Sequence, residues 1–288
     1  GYMALMSAQN PTEKNRNDDC WYNFRQPSPI PAYLMALAVG DIEFRSTGKR
    51  TGVYAEPSTL DKAAWEFADT EKMLATAENL YGPYVWRRYD VLVLPPSFPY
   101  GVMENPMLNF TTPTVIAEDR SLISLIAHVM ANSWCGNLVT TVTWNDFWLN
   151  EGFATYLERR LMEEMNDSTY SDMLTYLAYE DLQVNLEDLK LSGDTIDAKL
   201  KLSLDGRDPE EMYTDVPYEK GYLFILTIEK TMGRPAFDTF LKGYFEKYAF
   251  ESMSTERFIE ELYANLITKG SAADKKINIH DWVYRPGL

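Results

Sequence analysis

The residues best suited to chemistry lie between positions 128 and 151: His128, Asn132 and Glu151. The pattern over residues 121 to 135 predicts one helix, and a second helix is predicted from Leu149 to Glu164. Each helical residue turns about 100°, so side chains four apart lie about 40° apart and roughly 6 Å along the axis. One ion could touch both His128 and Asn132. The obstacle is donor type, since zinc favours thiolate, imidazole and carboxylate, while a neutral carboxamide is a weak donor better suited to hard ions. Disturbing a group that merely orients a ligand lowers metal affinity about 10–100-fold; replacing a ligating imidazole should cost more. The chain has only two histidines, and His280, in NIHDW, reads as a helix start or a surface hydrogen bond. Cys135 continues an i, i+4, i+7 series from His128, yet seven helical residues advance about 10 Å and zinc reaches only about 2.0–2.3 Å to each ligand. A shared ion would need a broken helix.

The surrounding sequence makes this frame specific. Residues 95 to 160 read PPSFPYGVMENPMLNFTTPTVIAEDRSLISLIAHVMANSWCGNLVTTVTWNDFWLNEGFATYLERR. This stretch resembles the gluzincin zinc aminopeptidases of family M1, in their leukotriene A4 hydrolase and aminopeptidase B branch. The likeness extends from PIPAYLMALAVGDIE near residue 30, through VPYEKGY at 216 to 222, to YRPGL at the end. Family members carry H-E-x-x-H on one helix and a glutamate ligand on the next, and the interval from Asn132 to Glu151 is typical of them. On that pattern His128 and Glu151 occupy ligand positions, Asn132 stands where the second imidazole belongs, and Val129 stands where the general base belongs.

In the mechanism the resemblance implies, zinc polarises the peptide carbonyl and its bound water, and the glutamate after the first histidine moves the water's proton to the leaving amine. Val129 can do neither; with Met130 it reads as a helix face filling a core. Zinc binding is therefore expected to be weak or absent. Gly101-Val102-Met103-Glu104-Asn105 resembles the family's G-x-M-E-N motif, in which the glutamate holds the substrate's free α-amine and nearby backbone pairs with the peptide. Val102 departs from the usual Gly or Ala, and its branched side chain is expected to narrow the first pocket. Without that context, Glu104 in a Pro-rich loop reads as a solvated surface residue. Tyr218 matches the tyrosine that donates to the tetrahedral oxyanion, or is ordinary helix packing if the motif is set aside. Tyr213 matches a second pocket tyrosine, and Glu210 falls near a family acidic position. Glu158 suits either a group orienting a ligand or an exposed helical carboxylate.

Three functions remain open: an inactive or severely impaired aminopeptidase scaffold that still binds peptide N-termini, a weakly active metallohydrolase with altered metal ligation, or a non-catalytic structural or partner-binding domain. Composition narrows the setting. A net charge of −16 argues against nucleic-acid and anionic-membrane partners, which need clustered Lys and Arg. Two cysteines, Cys20 and Cys135, cannot build a disulfide framework, so a reducing, cytoplasmic compartment is the expectation. No apolar run approaches the roughly 20 residues of a membrane span, and the start GYMALMSAQN lacks a basic flank and cleavage site. That start reads as the end of a strand. The chain is thus expected to be a fragment, without the β domain and the helical domain that flank this region in the family.

The positioning elements follow from pattern. Asn10 to Gln26 reads as a surface loop, and Tyr33 to Val39 as a continuous buried strand. Gly40 is a candidate boundary, assigning residues 1–40 to terminal strands and a loop of a preceding β domain, and 41–288 to the catalytic domain. Strands are expected at Ile42 to Arg45, Gly52 to Ala55 and Tyr89 to Leu94, and one helix from Leu60 to Tyr81. Beyond Cys135 the expectation is mostly helical, at Leu149 to Glu164, Thr169 to Leu186, Tyr218 to Met232, Pro235 to Tyr248 and Thr255 to Leu266. Gly233-Arg234-Pro235 marks a stop and restart. Leu191 to Glu211 is polar, turn-rich and unreadable by pattern. Strands first and helices later predict an α+β class; the resemblance implies a thermolysin-like catalytic domain, with a small mixed sheet and a mostly helical lobe.

Overall fold

The computed structural model describes residues 1–14 and 21–288. Cys20 and part of the loop expected over Asn10 to Gln26 lie outside the described residues. The chain divides into two compact units, Gly1–Asn79 with Pro83–Ser133, and Leu80–Gly82 with Trp134–Leu288.

In the first unit, β1 (Met3–Met6) and β2 (Leu37–Gly40) form an antiparallel pair with Met3 opposite Gly40. Met3 and Leu5 of β1 enter a core with Ile42, Tyr54, Leu92 and Leu108. The run Tyr33 to Val39 is not the buried strand its composition predicts. It forms a 3-10 turn at Ala32–Leu34 and then β2, in which Leu37 and Val39 are 63% and 62% exposed. Ser7 enforces the bend, its hydroxyl donating to the Leu34 carbonyl and accepting from the Ala36 N–H. Alternation along the strand then turns Leu37 and Val39 to the same outer face.

A five-stranded sheet follows, built from β3 (Glu43–Ser46), β4 (Thr51–Ala55), β5 (Tyr89–Val93), β6 (Val102–Met103) and β7 (Asn109–Thr111) in the order β3-β4-β5-β7-β6. The three middle strands run parallel and the two outer strands antiparallel to their neighbours. β4 and β5 are buried along their whole length, which is why they read as mainly apolar runs. The helix expected from Leu60 to Tyr81 is two, α1 (Pro57–Glu66) and α2 (Thr70–Tyr81). Thr70 makes the break, its N–H and hydroxyl both donating to the Phe67 carbonyl at 3.1 and 2.6 Å. The buried Glu66 carboxylate accepts from the N–H groups of Glu118 and Arg120, both at positive φ, and so holds the loop that leads into α3 (Ile123–Ala131).

The second unit is mostly helical: α4 (Trp148–Met165), α5 (Ser168–Ser192), α6 (Gly221–Met232), α7 (Arg234–Lys247), α8 (Thr255–Asn265), α9 (Ala272–Ile277) and α10 (Ile279–Tyr284). A short parallel pair, β8 (Val139–Thr141) and β9 (Glu251–Met253), was not foreseen from the sequence. Strands of three residues carry too little periodicity to announce themselves. α5 begins at its Asp167 cap and runs past its predicted end to Gly193, whose φ of 90° suits the left-handed C-terminal turn. Gly233 at φ 87° ends α6, and α7 restarts at Arg234-Pro235 as the sequence predicts. The unreadable stretch Leu191 to Glu211 includes two 3-10 turns, Thr195–Ala198 and Pro209–Met212, bridged by Arg207 between Asp197 and Glu211. A sheet-bearing unit and a helical unit together give the α+β class.

Candidate functional site

The first unit brings together the Gly101–Asn105 segment and α3. Val102 and Met103 form β6, one of the two edge strands, which among the described residues pairs with β7 on one side only. The Gly101 carbonyl accepts from the Thr112 N–H at 2.8 Å, which fixes the entry to the strand. Val102, Met103 and Glu104 are half-buried, and Asn105 is buried with its Nδ2 lacking a hydrogen-bond partner. Glu104 lies within electrostatic reach of Tyr89 on β5: burial pushes the Tyr89 phenol well up, and the Glu104 carboxylate adds to the effect. The same phenol donates to the Ile126 carbonyl of α3 at 3.3 Å. Tyr89 therefore links the carboxylate-bearing segment to the helix that carries His128.

α3 ends earlier than predicted. It stops at Ala131, and Asn132 is its capping residue, still in right-handed helical conformation (φ −59°, ψ −17°), with its N–H on the His128 carbonyl at 3.1 Å. The Trp86 indole N–H donates to the Ser133 carbonyl at 2.9 Å, just beyond the helix end. His128 thus sits half-buried in the last turn, one turn before the buried Asn132. Val129 and Met130 are 1% and 0% exposed, the core-filling role expected of them.

The second unit holds Glu151, Tyr213 and Tyr218. Glu151 lies in the first turn of α4 and is 6% exposed. Residues Val216–Lys220 form a π-helical turn carrying Tyr218, so the helix expected from Tyr218 begins as a π turn and continues as α6. Such turns are uncommon and concentrate at functional sites. The glycine after Glu151 sets the distance between these two elements: a Cβ on Gly152 would stand 2.8 Å from the Gly221 Cα and 3.1 Å from the Pro217 carbonyl oxygen. Both motif glycines, in WLNEG and in PYEKG, are required by this backbone contact.

Phe147, which the sequence reading did not single out, orders the two tyrosines. The Tyr213 and Tyr218 rings meet it edge-on at centroid distances of 5.4 and 5.9 Å. The signal available was an aromatic placed directly before the WLNEG run. Tyr213 is 53% exposed, Tyr218 is half-buried, and Glu210 is exposed. Glu158 is not the exposed helical carboxylate offered as one option. It is 7% exposed and accepts from Arg159 at 2.6 Å, while Arg159 also reaches Glu219 at 3.2 Å on the tyrosine-bearing turn. Lys220, fully buried on that turn, donates to the carbonyls of Ala198 and Arg285 at 2.8 and 2.9 Å, and burial lowers its pKa to about 8. His280 lies exposed on α10, 3.4 Å from Asp281.

The donor chemistry can be tested against the zinc ion the family implies. Among the described residues, no group of three or more His, Cys, Asp or Glu side chains is placed to hold a metal ion. The motif positions supply one imidazole, one carboxamide and one carboxylate, and this set does not fit the nitrogen- and sulfur-rich or histidine-carboxylate sites that zinc prefers. Also among the described residues, no helix is long and apolar enough to cross a membrane.

A mixed sheet with an edge strand bearing G-x-M-E-N, a helix beginning WLNEG and a π turn bearing PYEKG define the catalytic-domain fold of a metallopeptidase. Residues 65–281 match the Peptidase family M1 domain, and the chain belongs to that family. It is 43% identical over 290 residues to leukotriene A-4 hydrolase of Xenopus laevis, covering 99% of this chain and 47% of that protein. It is also 43% identical over 286 residues to leucine aminopeptidase 2 of Yarrowia lipolytica, covering 96% of this chain and 44% of the relative. The chain therefore spans about half the length of the curated relatives it matches. Among solved structures, native yeast LTA4 hydrolase superimposes with a TM-score of 0.91 at 39% identity, over 99% of this chain and 45% of that one. The fold is also that of an M1 zinc metallopeptidase from Deinococcus radiodurans, with a TM-score of 0.77 at 24% identity.

Proposed function

We propose that this chain is an aminopeptidase-type domain that retains the means to hold a peptide N-terminus and has lost the means to cleave it. The observation that carries the proposal is the make-up of α3 and its cap, where His128 is followed by the buried hydrocarbon of Val129 and, one turn on, by the carboxamide of Asn132. An isopropyl group neither accepts nor delivers a proton. General acid and base catalysis contributes about 10²–10⁴-fold, and without a firmly held metal the electrostatic stabilisation of the oxyanion is lost as well. Zinc binding, characteristic of the family, is accordingly weak or absent here.

Binding requires less. The half-buried Glu104 carboxylate suits the ammonium of a peptide's first residue, and the open side of β6 suits pairing with its extended backbone. Tyr213 and Tyr218, held by Phe147, supply phenol donors in the second unit. A chain with two cysteines, of which Cys135 is buried, suits a reducing cytoplasm.

The test is metal analysis of the purified chain by mass spectrometry, together with hydrolysis of an aminoacyl reporter and binding of one tripeptide with a free or an acetylated N-terminus. The expected result is substoichiometric zinc, no chelator-sensitive turnover, and binding that requires the free amine. Stoichiometric zinc with chelator-sensitive hydrolysis would establish the weakly active metallohydrolase instead, and equal indifference to both peptides would leave only a structural role.

A further inference from the structure

Among the described residues α5 is the longest helix, with 25 residues, and it has work for two faces. One face belongs to the fold: Leu182 is fully buried, the Ser171 hydroxyl donates to the Arg159 carbonyl of α4 at 2.9 Å, and Thr175 shares a hydrogen bond of 2.9 Å with the Tyr222 hydroxyl of α6. The opposite face is apolar and bare. At about 100° per residue, Met173, Leu177, Val184 and Leu191 fall within about 40° of one another, roughly opposite Leu182, and mark a stripe about 27 Å long. They are 47%, 55%, 61% and 79% exposed, and the exposed Tyr176 widens the stripe by one residue. Single apolar residues scattered on a surface need no explanation, whereas a continuous stripe marks a contact surface.

Beside the C-terminal half of the stripe lies a groove of about 730 Å³, walled by Val184 and Leu186 of α5, by Ala198 on the turn that follows, and by Leu288. Its charge is one-sided. Glu180 and Glu187 line the groove, and Asp181 and Asp188 follow them on the helix; all four are exposed, and among the described residues none of them has an ion-pair partner. Lys190 is the one cation in the sequence of α5. The sign of this rim decides what can cover the stripe. A second copy of the chain would set Glu180 and Glu187 against their own counterparts, and an anionic membrane would meet the same repulsion. A partner with cations on either side of an apolar ridge meets attraction instead.

We propose that the outer face of α5 docks a basic amphipathic helix of a partner protein. Its apolar residues, spaced i, i+3 or i+4 and i+7, pack on Leu177, Val184 and Leu191 and into the groove, and its Lys or Arg residues pair with Glu180, Glu187 and Asp188. The inference is independent of the binding of peptide N-termini, since α5 carries none of the residues assigned to that role.

The probe is a fluorescein-labelled synthetic helix of leucine and lysine, with leucine at helical spacing, titrated against the chain by fluorescence anisotropy; its counterpart carries glutamate in place of every lysine. The lysine helix should bind saturably and the glutamate helix should not. Leu177→Gln with Val184→Gln, both on the exposed face, should weaken binding about tenfold while leaving the urea midpoint in place. Glu180→Gln with Glu187→Gln should weaken it several-fold and flatten its dependence on salt. Glu246→Gln with Glu260→Gln, which removes the same charge from exposed positions on α7 and α8, should leave it unchanged. Equal weakening by that last pair would reduce the effect to diffuse attraction toward an acidic surface and overturn the proposal, as would the absence of saturable binding. Self-association in sedimentation velocity that Leu177→Gln with Val184→Gln removes would also overturn it and make a second copy the occupant.

Discussion

Lys220 offers a test of the physical reasoning that is independent of any catalytic or binding assay. Its ammonium is fully buried and bonded to two backbone carbonyls, and no carboxylate forms an ion pair with it among the described residues. Burial lowers its pKa to about 8, against 10.5 for the unperturbed group. Between those values the unfolded chain binds a proton that the folded chain has released, so stability must rise with pH. The contribution is complete above about 10.5 and is lost as pH falls through about 8. At about 1.4 kcal/mol per unit, the full swing is about 3 kcal/mol. A neutral amine keeps two N–H bonds, one for Ala198 and one for Arg285, so the bridge outlasts the charge. The assay is urea unfolding of the native sequence and of Lys220→Met from about pH 7 to about pH 10. Buried tyrosines such as Tyr156 and Tyr244, whose phenols are pushed up by burial, titrate alike in both proteins and cancel in the difference. The advantage of the native chain over Lys220→Met should widen by up to about 3 kcal/mol as pH rises. A gap that stays constant or narrows would mean that an acidic group holds the ammonium, and the burial argument would be wrong.

The proposed loss of cleavage gives the next prediction. Val129→Glu together with Asn132→His should bring metal content toward one zinc per chain and yield chelator-sensitive hydrolysis of an aminoacyl reporter, whereas either change alone should restore neither in full. Metal analysis alongside the reporter assay separates metal binding from turnover. The close approach of α4 to the tyrosine-bearing turn is tested by Gly221→Ala: its Cβ would meet the Gly152 Cα at 2.8 Å. Overpacking of that kind costs about 1–3 kcal/mol, while Gly243→Ala, with no atom within 4 Å of the added carbon, should be neutral or stabilising by up to about 1 kcal/mol in urea unfolding.

The contrast between Gly221 and Gly243 shows why parts of this site were legible in the sequence and others were not. WLNEG and PYEKG were legible as stretches that carry the family resemblance, while the close approach of their glycines, with a Cβ on Gly152 at 2.8 Å from the Gly221 Cα, shows only in three dimensions. The buried strands β4 and β5 are equally legible, because strands covered on both faces read as mainly apolar runs. Periodicity fails where one hydrogen bond outweighs propensity. The break between α1 and α2 depends on the Thr70 hydroxyl finding the Phe67 carbonyl, and the stop after Ala131 coincides with the Trp86 indole taking the Ser133 carbonyl. The first contact spans three residues but is one of several a threonine hydroxyl can make, and the second cannot be read locally, since Trp86 is 47 residues from Ser133.

Burial of charge was the least legible feature. Arg159, Arg160 and Lys220 belong to types that usually lie at the surface, and for Glu158 an exposed position was one of two readings, because charged side chains are rarely fully buried unless paired. Pairing is a property of three-dimensional neighbours: Arg159 joins Glu158 on α4 to Glu219 on the π turn, 60 residues apart. The buried face of α4 therefore carries two kinds of information. Its Glu151 and Gly152 are marked by motif and spacing, whereas its arginines acquire their role only when α5 and α6 close around them.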